Sequence, residues 1–197
     1  MVKESVGMIY IVLGGLGFLI IHLLDIVSIK RIRGLKPLTT IIGNGLIVFP
    51  IVMLCLSADK LALPAWTTVL GWILLPISLF MLIYSLYINL PMGKTYFADG
   101  VGDKLVTRGL YALVRHPWLH WLVLMLLALI LVSKSSLMLI AAPIWVALDI
   151  GLVIIQDRFF FGKMFDGYDD YRRQTPMFFP NRRSLNAFIN SLKQNAE

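Results

Sequence analysis

Two stretches of this sequence carry side chains able to act on a small ligand: Arg115-His116-Pro117 and, later in the chain, Gln156-Asp157. Proline is favoured at the first position of a helix, because its missing N–H would be unpaired there anyway. A helix is therefore expected to start at Pro117, with His116 immediately before it. The free N–H groups of its first turn form a ready anion site, and Arg115 and His116 add charge and hydrogen bonds at the same place. A carboxylate or a phosphate fits such a site. The plainer reading makes Arg115 a membrane-edge anchor and His116 a helix cap.

Asp157 sits at the end of a long apolar run, where an ionisable group is costly unless paired or used. Arg158 follows it, but neighbours at i,i+1 point apart on a helix. Tyr168 and Tyr171 share one helical face and could frame an aromatic pocket, or equally stand in an interfacial aromatic belt. Asp149 lies two turns deeper in the same run and needs a partner, for which His22 and Asp25 are available. Metal chemistry has little to stand on. His116 and His120 are spaced i,i+4, but the chain holds only three histidines and one cysteine, too few for a histidine-rich iron site. No metal ligand set is assigned.

These groups have to be positioned by helices. About 20 apolar residues cross a bilayer as helix, and five segments come close: Met8–Ile29, Leu38–Ser57, Ala65–Leu90, Pro117–Val132 and Leu137–Ile155. The last two are short and joined only by Ser133-Lys134-Ser135-Ser136, which predicts a tight helical hairpin. The connection from Pro91 to His116 is long, and long ordered connections are often functional. Gly14, Gly15 and Gly17 suit close helix packing. After Pro180, Leu185, Phe188, Ile189 and Leu192 follow helical spacing beside Arg182, Arg183 and Lys193. That pattern fits either a short amphipathic helix on the inner leaflet or a frayed tail.

Composition agrees with a membrane protein. The chain is 58% hydrophobic and 15% charged, with a mean hydropathy of +0.81, so lipid has to solvate its apolar surface. A formal charge of +7 raises nucleic-acid binding. The basic residues, however, cluster beside apolar spans rather than along one soluble face, which argues against it. Of the 18 lysines and arginines, all but Lys3, Lys60 and Lys134 follow the first, third and fifth spans. The positive-inside rule then places those three stretches in the cytoplasm. The first span is too long for a signal peptide and has its basic residues after the apolar run; it reads as an anchor with the N-terminus outside. Cys55 alone excludes an intrachain disulfide. The expected fold is thus all-α: a polytopic membrane protein of about five transmembrane helices, N-terminus out, C-terminus cytoplasmic, its last two spans a hairpin.

The pattern Leu105-x-Thr107-x-Gly109-x-Tyr111-x3-Arg115-His116-Pro117 resembles the motif of the isoprenylcysteine carboxyl methyltransferase family and of related phospholipid and small-thiol methyltransferases of membranes. In that family a helical hairpin, an acidic pair, a Tyr-x-x-Tyr segment and a closing proline follow. Here the hairpin, Gln156-Asp157, Tyr168-x-x-Tyr171 and Pro180 occur in the same order, and Met92-Gly93-Lys94 resembles the family's upstream glycine. The resemblance covers roughly residues 84–181.

What it implies is an S-adenosyl-L-methionine-dependent enzyme of a bacterial or archaeal cytoplasmic membrane, with its cofactor in a cytoplasm-facing pocket. A small or lipophilic acceptor (carboxylate, thiol or amine) would enter from the bilayer. By the same resemblance Asp157 and Arg115 are the catalytic residues. His116, Pro117, Gly109, Tyr111, Gln156, Asp157, Tyr168, Tyr171 and Pro180 bind cofactor. Residues 1–90 would be three N-terminal transmembrane helices, 91–181 the cofactor-binding region with its hairpin, and 182–197 the tail. The chain departs from the family pattern at Leu119, where a tyrosine is usual, at Trp121, where a glycine is usual, at Gln156-Asp157, and at Leu152-Val-Ile-Ile155, where arginine is common. Two other readings stand beside this one: a non-enzymatic or degenerate member serving structure or assembly, and an NADPH-dependent sterol-type reductase with a related closing Tyr and Pro region.

Overall fold

The computed structural model describes residues 2–101 and 104–194. Every regular element among them is helical: α1 (Val2–Ile29), α2 (Leu35–Cys55), α3 (Ala65–Ile83), α4 (Leu110–Leu113), α5 (Pro117–Ser133), α6 (Ser136–Phe159), α7 (Phe161–Met164), α8 (Tyr168–Gln174) and α9 (Arg182–Gln194). Two π-helical turns, Tyr84–Ile88 and Gly93–Phe97, extend α3 into the connection that follows. α1, α2, α6 and α3 with its π-helical extension are long and apolar enough to cross a membrane. α5 has 17 residues, or roughly 25 Å of helix, and is short of a full crossing. It lies against α3 and α6.

The side chains facing outward confirm that lipid is the solvent. Ile41, Trp66, Val69, Trp72 and Phe80 are all exposed. An apolar girdle of this extent on a water-soluble protein would mark an aggregation surface. The core lies inside it. Along α6, Trp145, Asp149, Val153 and Asp157 are all buried, because residues four apart share one helical face. Trp145 is the largest fully buried side chain, and its Nε1 donates to the Ile11 carbonyl of α1 at 2.9 Å. The ring fits because Gly14 faces it: a Cβ there would stand 2.3 Å from Trp145 Cζ2. Gly17 admits the α2 backbone in the same way, with Ile47 N 2.9 Å from where its Cβ would be. Small residues thus set the α1–α6 and α1–α2 approaches, where lipid offers no hydrophobic drive.

The α5–α6 hairpin turns within Lys134 and Ser135. Lys134 takes the left-handed conformation, and the Ser135 hydroxyl caps α6 by accepting from Met138 N while donating to Leu54 O at 2.6 Å. The α2–α3 loop joins this end through Leu61 N to Lys134 O. The basic connections meet at the other end. Gly34 N donates to Asp99, Lys36 Nζ to the Gly100 carbonyl at 2.8 Å, and Arg115 reaches the last turn of α6. The stretches that hold fifteen of the basic residues are therefore packed together, away from Lys60 and Lys134. α9 is helical, with Leu185, Ile189 and Leu192 exposed. Its buried Ser191 accepts from Gly109 N. Residues 195–197 of the expected tail lie outside the described residues.

Candidate active site

Pro117 opens α5, and His116 before it is non-helical, φ −127° and ψ 66°, with no side-chain capping bond. This places Arg115 beside the last turn of α6. Arg115 Nε donates to Asp157 Oδ1 at 2.8 Å and Nη2 to Oδ2 at 3.0 Å, the two-pronged geometry that makes Arg–carboxylate pairs strong. Its Nη1 donates to the carbonyls of Arg172 and Thr175, and its own N–H to Pro176 O. One arginine thereby joins the start of α5, the end of α6 and the end of α8.

The Tyr168 hydroxyl donates to Asp157 Oδ1 as well. Burial, and then the adjacent carboxylate, push the Tyr168 phenol well above its ordinary range. Burial does the same to Tyr171, whose hydroxyl donates to the Tyr111 carbonyl at 2.7 Å. Tyr111 in turn donates to Ser85 O. Both tyrosines are therefore neutral hydrogen-bond donors that tie α8 to α6 and to α4, and their rings meet at 5.9 Å.

His116 is 1% exposed. It stacks on Phe161, centroids 5.9 Å apart, and its Nε2 lies 3.5 Å from Asp157 Oδ1 without forming a hydrogen bond. Desolvation pushes its pKa below the ordinary value, against the pull of Asp157. A buried neutral histidine charges when the protein unfolds, so the linkage has a definite sign. Its stability is complete above the unfolded value of about 6.5 and is lost as pH falls from there toward the folded value. Unfolding temperature in detergent should drop over that interval, and His116→Gln should flatten the profile.

A cavity of about 460 Å3 runs inward from this cluster, between α1, α2, α3, α5 and α6. That volume is in the range of small-molecule sites. Of the residues expected to bind or act, Tyr111, Arg115, His116, Gln156, Tyr168 and Tyr171 line it. Asp157 stands behind Arg115, His116 and Tyr168 rather than on the wall. Pro117 is buried outside the lining, and Pro180 is exposed away from it. Gly109 is also outside. It adopts φ 58° and ψ −136°, and a Cβ there would stand 2.7 Å from Asn89 Oδ1. Its placement serves the turn into α4 and the contact with α9. Neither Leu119 nor Trp121 lines the cavity, so the bulk of that tryptophan does not fill it.

The opposite wall was not legible as part of a site. Lys36 is 2% exposed and lines the cavity, together with His22, Asp25, Asn44, Tyr96 and Asp149. By sequence Lys36 counts with Lys30, Arg31 and Arg33 as a flanking charge. The signal that separates it is position, since it alone of the four lies inside a helix. His22 Nε2 is 3.0 Å from Asp149 Oδ1, the pairing for which His22 was available. Among the described residues, two buried side-chain polar atoms have no hydrogen-bond partner: His116 Nε2 and Asp149 Oδ2. Both residues belong to the wall of this one cavity.

Comparison with known proteins adds one finding. A family model described as phospholipid methyltransferase matches residues 66–166. The matched span runs from α3 into the segment after α7; it takes in Tyr111, Arg115, His116, Gln156 and Asp157 and stops short of Tyr168, Tyr171 and Pro180. No curated protein and no solved structure matches.

Proposed function

Because this chain belongs to the phospholipid methyltransferase family, we propose that its cavity takes S-adenosylmethionine and that the methyl group passes to a small or lipophilic acceptor. The observation that carries this reading is His116 in the cavity lining, whose buried Nε2 has no hydrogen-bond partner although it lies 3.5 Å from Asp157 Oδ1. Buried polar atoms are normally satisfied, and the donor's amino-acid carboxylate would satisfy this one. It would also lie at the N-terminus of α5, where the helix dipole favours negative charge. Gln156 offers both a donor and an acceptor to the remaining polar groups. Phe161, Tyr168 and Tyr171 present aromatic faces, which attract a sulfonium as they attract other cations.

S-adenosylmethionine would supply an activated methyl group. The chain's own contribution is orientation and exclusion of water, on which in-line displacement depends. Arg115 and Asp157 serve it by holding His116 and Tyr168 in place. A cytoplasmic location of this end is supported by the basic stretches gathered there, through the positive-inside rule. The exposed apolar stripe of α9, with Arg182, Arg183 and Lys193 beside it, would then lie on the inner leaflet.

Titration calorimetry on the purified protein in nanodiscs tests the reading. Saturable binding of S-adenosylmethionine or its demethylated product is expected, weakened at least about tenfold in His116→Ala, the loss of one charge-assisted hydrogen bond. Absence of binding at millimolar ligand would overturn it.

A further inference from the structure

The second unpartnered atom, Asp149 Oδ2, belongs to another residue that lines the same cavity. Asp149 is fully buried and is eight residues from Asp157 on α6, roughly 12 Å along the helix axis. The cavity it lines is largely apolar, with Phe18 on α1, Ile47 and Ile51 on α2, and Leu122 and Met125 on α5. A carboxylate in such surroundings is expensive and marks a used position. One of its oxygens is held by His22 at 3.0 Å, while the other, Oδ2, has no partner among the described residues. His22 is itself fixed against Trp118 at the start of α5, ring centroids 6.4 Å apart. A pure packing role would leave both oxygens paired or replace the residue with an apolar one. This arrangement leaves one buried acceptor oxygen unpaired, beside a histidine that holds its twin, in a residue that lines the cavity.

We propose that His22 and Asp149 form the acceptor subsite, and that the acceptor is an apolar molecule ending in a protic nucleophile, a thiol or an amine. The proposal rests on the reading of the His116 wall as the methyl donor's site. Asp149 Oδ2 accepts the hydrogen bond of the nucleophile's X–H and then its proton. As the X–C bond to the methyl group forms, the bond from that methyl to the sulfonium breaks with its electron pair left on sulfur. The X–H bond breaks with its pair left on X, and Asp149 ends neutral. His22 is a positioning residue: by donating to Oδ1 it turns Oδ2 toward the chamber.

The test uses the full chain in nanodiscs, with n-dodecanethiol and n-dodecylamine as probes and n-dodecane as the apolar control. Thermal unfolding without any methyl donor should show wild-type protein stabilised more by at least one protic probe than by dodecane. The thiol and amine arms tell which head group is taken. Asp149→Asn should abolish that difference and leave S-adenosylmethionine affinity within about twofold. With donor present it should lower kcat for the preferred probe at least about 100-fold, the scale of a lost general base. His22→Phe should lower kcat about tenfold, the scale of a misplaced base, and His22→Gln, which keeps a donor toward Asp149, should restore most of it. If Asp149→Asn fails to fold, the Phe and Gln pair at His22 carries the test.

Equal stabilisation of wild type by all three probes would overturn the subsite. So would an undiminished kcat in Asp149→Asn, or indistinguishable wild-type rates in both His22 variants. A loss of donor affinity in Asp149→Asn would also overturn it, by moving Asp149 into the donor's site. Failure of wild-type protein to bind S-adenosylmethionine would sink the donor reading alone, because the thermal measurement judges the subsite independently.

Discussion

Asp157→Asn should lower stability by about 3–5 kcal/mol, the cost of removing one partner of a buried ion pair. Arg115 and Asp157 are only 9% and 4% exposed, so the guanidinium would lose its carboxylate in a largely desolvated place. The same substitution weakens the Tyr168 hydroxyl's acceptor and the field that holds His116. Cofactor binding is therefore expected to be lost although Asp157 itself does not line the cavity. Thermal unfolding in detergent and titration calorimetry on the same preparation measure the two effects. A double variant, Arg115→Met with Asp157→Leu, separates them: replacing both charges by apolar groups should recover most of the stability, while binding stays lost because α8 is no longer tied down. Unchanged binding in Asp157→Asn would show that the cluster and the ligand site are unconnected.

The second large effect is expected far from the polar end. Trp145→Ala should cost about 3–5 kcal/mol, the range for removing a fully buried large aromatic side chain. The ring fills the space between α1 and α6 against Gly14, and its N–H satisfies the Ile11 carbonyl. Gly14→Leu attacks the same contact from the other side, by overfilling it. The two single variants should both lower the unfolding temperature. Their combination should be milder than the sum, since residues in direct contact couple. Additive losses would mean that the two do not share one packing site.

Much of the membrane architecture was legible in the sequence because it depends on local composition. A run of apolar residues long enough to span reads the same wherever it packs, and the helix start at Pro117 follows from a proline preference that acts within one turn. Gly14 and Gly17 were legible as packing positions for a similar reason: a missing side chain means close approach. What they approach was not. Helical spacing tells which residues share a face, as Trp145, Asp149, Val153 and Asp157 do, but a face does not name the surface opposite it.

The Arg115-His116-Pro117 and Gln156-Asp157 stretches show where that boundary falls. Sequence alone determined that a helix starts beside an arginine and a histidine, and that a carboxylate ends another apolar helix near the same side of the membrane. Only the tertiary structure decided that Arg115 takes Asp157, across 42 residues, and that His22 takes Asp149, across 127. It also decided that Lys36 turns inward to the cavity while its neighbours Arg31 and Arg33 stay exposed. The physical reason is common to all three. A buried charge is stable only beside a partner, and which partner is within reach depends on how the helices are arranged around one another, a property of the packed bundle that no single segment carries.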